Sequence, residues 1–195
     1  MSQTNKLSNV TRTYLRDYEK IFCEMRQGMT GVCLGDSISE NFILQMIPHH
    51  QGAINMCRNL LKYTTCIPLQ EIALGIIKEQ TESIAQMEKA LPCCRQLKNT
   101  PQELRAYQQE MDRILCVMFE GMERACADNE LSNDFMREMI PHHEGAVRMS
   151  ENVLEQRICR ELCPILEAII TSQKRGIRQM TDLLQEGTCS CGERR

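Results

Sequence analysis

The feature that most constrains this chain is an internal repeat. Sliding the sequence against itself by the distance from His49 to His142 aligns Tyr14–Leu91 with Tyr107–Leu184 without a gap. More than a third of the aligned positions are identical, the signature of a duplicated structural unit. The chain therefore divides into a first repeat, 1–97, and a second, 98–195. A unit of half this length buries a low fraction of its surface when alone. The two are expected to pack on one another.

Each repeat reads as three helices, which sets the fold class as all-α. Tyr14, Tyr18, Ile21, Met25 and Met29 recur at three- and four-residue spacing and share one face of a helix from about Ser8 to Met29. Its counterpart runs from about Pro101 to Met122. The second helix starts near Ser37–Ser39 and ends near Tyr63, with a partner from about Ser132 to Gln156. Ser39 and Ser132 are placed as N-caps, since a hydroxyl accepts a bond from an orphan backbone N–H. The third helix spans roughly Leu69–Leu91, and again Leu162–Leu184. Gln80 and Gln173 fall inside its apolar stripe. A buried amide needs partners, and an imidazole N–H from the second helix is the partner expected.

The longest match between the repeats is Met-Ile-Pro-His-His-x-Gly-Ala-x-x-Met, from Met46 to Met56 and from Met139 to Met149. All four histidines of the chain lie in it, as His49–His50 and His142–His143. Pro48 and Pro141 sit inside a helical pattern, where a proline costs about 3 kcal/mol. Either the helix kinks before the His pair, or the proline begins a new helix. Both arrangements re-aim two side chains that a straight helix splays by about 100°. Costly residues beside matched His pairs point to a site rather than to packing alone. Met25, Met29 and Met87 and their counterparts serve equally well as core filler.

Twelve Cys and thirteen Met accompany these histidines. The opening residues lack the apolar run of a secretory signal, so the chain is expected in the cytoplasm. There thiols stay reduced, and clusters of them bind metal or act in redox chemistry. Cys66 and Cys159 are read as small buried hydrophobes. The close pairs Cys93–Cys94 and Cys189–Cys191 read as Cu(I) or Zn(II) ligands or as a thiol switch. The acidic positions seldom match between repeats and no Glu-x-x-His pair occurs, against a dinuclear carboxylate iron site. A net charge of −3 gives no reason to expect nucleic acid as a partner, and no apolar stretch is long enough for a membrane span. With no nucleophile elbow, phosphate loop or paired catalytic carboxylate, the chain is read as a non-enzyme.

MIPHHQGAINM and MIPHHEGAVRM, each followed by a helix carrying Ile-Ile-x-x-Gln-x-x-x-Ile-x-x-Met, resemble the domain-of-unknown-function 305 family. The resemblance covers both repeats. It implies a ferritin-like helical bundle, here of two three-helix repeats with approximate internal two-fold symmetry. It also implies copper binding through His and Met. Carried over by position, the ligands are His49, His50, Met46, Met56 and Met87, and in the second copy His142, His143, Met139, Met149 and Met180. The chain departs from common members in its wealth of cysteine and in its missing export signal. The expected function is binding of copper(I), with zinc as second ion, for storage, detoxification or transfer. The partners this leaves are the metal ion, a copper-transfer protein or a second copy of the chain. The competing readings are a structural helical module with buried His pairs, and a thiol-based zinc or redox sensor.

Overall fold

A computed structural model describes residues 7–125, 127–187 and 189. Six α-helices account for the architecture, with no strand among the described residues: α1 (Asn9–Thr30), α2 (Ile38–Leu60), α3 (Ile67–Cys94), α4 (Pro101–Glu123), α5 (Leu131–Leu154) and α6 (Cys163–Glu186). A 3-10 turn, Arg160–Leu162, leads into α6. Local chemistry explains most of the helix starts. Ser8 caps α1 by accepting from Thr11 N–H, and Thr100 and Glu103 form a capping box on α4. Prolines occupy the first turn of α3, α4 and α6, where the missing N–H costs nothing. Gly187 ends α6 with a φ of 63°, a left-handed conformation that glycine adopts without strain.

Within the first repeat α2 packs on α1 and α3; within the second, α5 packs on α4 and α6. The halves meet where α2 contacts α5 and α3 contacts α6. One continuous hydrophobic cluster draws residues from all six helices. Helices α2 and α5 are its axis: they are buried on most of their circumference, whereas α1, α3, α4 and α6 bury one stripe each. That is why Gln45, His49 and His50 on α2 and Glu138, His142 and His143 on α5 meet protein rather than solvent.

Several local expectations change. The cap of α2 is Ser37, which accepts from Glu40 N–H; Ser39 instead accepts the Cys159 N–H at 3.0 Å. Ser132 likewise caps nothing, and its hydroxyl pairs with that of Thr64 at 3.0 Å. Both serines lie one residue inside their helix and tie it to the other repeat. Neither Pro48 nor Pro141 starts a new helix, since α2 and α5 run through them without a break. Each ring fits against a glycine of the neighbouring helix, Gly28 for Pro48 and Gly121 for Pro141. Helix α3 continues through Pro92 to Cys94, which shortens the connection between repeats to residues 95–100. Asn99 fixes that connection: its N–H donates to Asp36 O, its Oδ1 accepts from Ile38 N–H, and its Nδ2 donates to Arg157 O. Cys66 is not a free buried thiol but is joined to Cys189, linking the start of α3 to the residues after α6. Cys126 and Cys191 lie outside the described residues.

Candidate metal centre

Adjacent histidines on a helix point about 100° apart, and here the two directions have different destinations. His49 and His142 turn toward each other where α2 crosses α5. Their rings stack with centroids 3.7 Å apart and planes 26° from parallel. His49 Nε2 lies 3.2 Å from His142 O, and His142 Nε2 lies 3.3 Å from His49 O. A carbonyl only accepts, so each Nε2 carries the proton, and each Nδ1 is left with its lone pair. Those Nδ1 atoms are buried and have no hydrogen-bond partner.

His50 and His143 point the other way, toward α3 and α6. Each ring centroid stands 5.8 Å from that of its sequence neighbour. His143 lines a cleft of about 430 Å³ between α3 and α6, with Gln80, Gln173, Gly75 and Gly176. His50 lines a smaller one of about 140 Å³, with Gln80, Ser83, Gln86 and Ala168. The sizes follow from two substitutions between repeats. Ser83 of the first copy, whose Oγ lies 3.1 Å from His50 Nε2, is replaced by Gly176 in the second, and Ala168 by Gly75 in the first. A Cβ at Gly176 would sit 2.8 Å from His143 Cδ2 and 2.9 Å from its Nε2, so only glycine lets the α6 backbone pack this closely on the buried ring. The Nδ1 atoms of His50 and His143 are also unpartnered.

Burial penalises the charged imidazolium and holds all four rings neutral. His50 is pushed down to about 3 and His142 to about 4. His49 and His143 are also held well below the ordinary histidine range by burial, and the neighbouring rings add to it. Neutral imidazole is the form that binds metal.

Met46, Met56, Met87, Met139, Met149 and Met180 are all fully buried members of the common core. None of them lines either cleft. The expected bond between Gln80 or Gln173 and an imidazole is not made. Both amide atoms of Gln80 and the Oε1 of Gln173 have no protein partner, and they face the clefts instead. Gly52 and Gly145 admit a neighbouring helix: Met25 and Met118 lie over them, bringing α1 close to α2 and α4 close to α5.

Sequence reasoning missed a second buried polar layer. Tyr14 OH donates to Glu138 Oε2 at 2.8 Å, and Tyr107 OH to Gln45 Oε1 at 3.4 Å, each reaching from one repeat into the other. Glu138 sits four residues before His142, so helical spacing marks it as inward-facing. Burial pushes its carboxyl up to about 8; the Tyr14 bond pulls it down and nearby Asp134 pushes it up. It also missed that Cys93, Cys159 and Glu161 converge, their ligand atoms within 4.8 Å of one another. No three histidine nitrogens among the described residues meet that closely.

The DUF305 family, described as a domain of unknown function, matches residues 24–91 and 39–184. The chain belongs to this family. A crystal structure of a DUF305 fragment from Deinococcus radiodurans is similar to it, at 25% sequence identity and a TM-score of 0.55. The alignment covers 78% of this chain and 99% of that fragment. No curated protein matches. Family membership fixes kinship and leaves the activity to be argued from the site. No helix among the described residues is long and apolar enough to cross a membrane.

Proposed function

We propose that this DUF305 chain binds a soft metal ion, copper(I), through the imidazoles of α2 and α5 and the thioethers packed around them. The observation that carries the reading is the set of four buried, neutral histidines whose Nδ1 atoms lack any partner. A buried acceptor left unpaired costs about 1–3 kcal/mol, and a metal ion recovers that cost. Cu(I) tolerates few ligands and favours imidazole with sulfur. His49, His50, His142 and His143 are the nitrogen donors. Met46, Met56, Met87, Met139, Met149 and Met180 are the soft donors available within the same core. The cleft beside His143 is the route by which the ion enters and leaves. A role in storage, detoxification or transfer needs no catalytic step and takes the ion itself, or a copper-transfer partner, as its counterpart.

The same reading treats the chain as two tandem family domains in a ferritin-like bundle related by an approximate two-fold axis. The reciprocal His49–His142 bonds and the matched Tyr14–Glu138 and Tyr107–Gln45 contacts support that symmetry.

The test is a competitive Cu(I) titration of the reduced chain under anaerobic conditions, repeated on His50→Ala/His143→Ala, which keeps the stacked pair. The expected result is tight binding in the intact chain and at least tenfold weaker binding in the variant. Absence of tight binding overturns the reading, and unchanged affinity in the variant takes His50 and His143 out of the site. One observation favours a second reading. The stacked, mutually bonded His49 and His142 also form a helix junction that needs no ion, and that junction alone predicts no rise in melting temperature with Cu(I).

A further inference from the structure

At the far end of the molecule from the His143 cleft's glycines, a group of sulfurs gathers that the histidine site does not use. Cys93 and Cys94 close helix α3 of the first repeat, while Cys159 and Glu161 belong to the turn that opens α6 of the second. Cys93 Sγ lies 3.6 Å from Cys159 Sγ, and Glu161 Oε2 accepts from both thiols, at 2.6 Å and 2.7 Å. The Cys94 thiol interacts with that of Cys159. Cys93 and Glu161 reach solvent and Cys159 is buried, so the group opens to solvent on one side only. The Cys159 N–H is pinned to Ser39 Oγ, which sets the buried sulfur against α2.

We propose that Cys93, Cys159 and Glu161 form a zinc(II) site that clasps the two repeats together, its solvent-facing side open to a water as fourth ligand. A tetrahedral ion with Zn–S bonds near 2.3 Å holds two sulfurs roughly 3.8 Å apart, and the two sulfurs already stand close to that separation. The carboxylate needs roughly 3.5 Å from each sulfur in such a site. Glu161 is exposed and can withdraw by about that difference once the thiol protons leave. The carboxylate also selects the ion, because oxygen ligands suit zinc(II) better than copper(I).

The other sulfur station of the chain sharpens the contrast. Cys66, the counterpart of Cys159, forms a disulfide with Cys189 and likewise joins the start of one third helix to the end of the other. At the position matching Glu161 that station has Pro68. At the Cys93 station two sulfurs and the Glu161 carboxylate converge instead, a set of donors that suits an ion.

Binding releases one proton per ligating thiol to solvent, leaving thiolates on the metal, with no change of oxidation state. Without the ion Cys93 holds its proton firmly: the bond to Glu161, followed by the contact with Cys159, pushes it up to about 12. Affinity should therefore fall steeply as pH drops. The site shares no residue with the histidines, so it stands whether or not they bind copper.

The experiment uses the full-length chain, reduced and kept anaerobic, with cobalt(II) as optical probe and zinc(II) as competitor. The expected result is one equivalent of cobalt with the intense visible and near-ultraviolet bands of tetrahedral thiolate coordination, bleached by one equivalent of zinc. Cys93→Ser/Cys159→Ser should abolish the bands and Glu161→Gln should weaken zinc binding at least tenfold. Cys23→Ser/Cys116→Ser, at exposed thiols elsewhere, should leave both unchanged. Absence of the bands, their survival in Cys93→Ser/Cys159→Ser, or a Cys93–Cys159 disulfide in a chain that takes up no zinc after reduction would each overturn the proposal.

Discussion

Replacing Glu138 by Gln should change how stability depends on pH, by an amount the structure sets. In the folded chain the Glu138 carboxyl titrates at about 8 against an ordinary value of 4.5, chiefly because it is buried. Between those limits the folded chain holds a proton that the unfolded chain has lost, so unfolding releases one proton and stability falls as pH rises. One proton corresponds to about 1.4 kcal/mol per pH unit, or about 5 kcal/mol over the whole window. Gln cannot ionise, and it recreates the arrangement of the first repeat, where Tyr107 bonds Gln45. Urea unfolding of wild type and Glu138→Gln at half-unit intervals from pH 5 to pH 9 measures the difference. The variant should gain on wild type by about 1.4 kcal/mol for each unit between roughly pH 5 and pH 8, then level off. Parallel stability curves across that range would refute a buried neutral carboxyl at this position.

The histidines should act in the opposite direction. With folded values below 6.5, they leave the folded chain short of protons that the unfolded chain takes up, so stability falls as pH drops from 6.5. His50→Asn should reduce that acid slope by about 1.4 kcal/mol per unit, down to about pH 3, measured by the same unfolding series. Two helical glycines should respond with opposite sign to alanine. A Cβ at Gly52 would sit 2.6 Å from Met25 Sδ and 3.0 Å from Met25 Cβ, so Gly52→Ala should destabilise by about 1–3 kcal/mol. Gly75 has open space, and Gly75→Ala should stabilise by up to about 1 kcal/mol through helix propensity, both read from thermal unfolding.

Helical period made much of this fold legible. The stripe from Tyr14 to Met29 marks inward positions, and Tyr14, Tyr18, Met25 and Met29 all sit in the core. Period tells which residues share a face, but not which helix that face meets. Period alone therefore pairs Gln80 with an imidazole, whereas Ser83, one turn further, is the residue that reaches His50. The same limit hid the stacking of His49 on His142, since nothing local in either repeat records where α2 crosses α5. Pro48 looked like a break because the cost of a mid-helix proline is local; its fit against Gly28 of another helix is tertiary. Cys93 and Cys159 stand too far apart in sequence to read as a motif, and Glu161 joins them only because a 3-10 turn presents it.

The central claim, that the buried imidazoles hold copper(I), is tested most directly by X-ray absorption at the copper edge of the reduced chain loaded with one equivalent of Cu(I). The account predicts a mixed shell of nitrogen and sulfur, with the multiple scattering of imidazole rings, whose imidazole component shrinks in His50→Ala/His143→Ala. A shell of sulfur alone, identical in the intact chain and the variant, would contradict it.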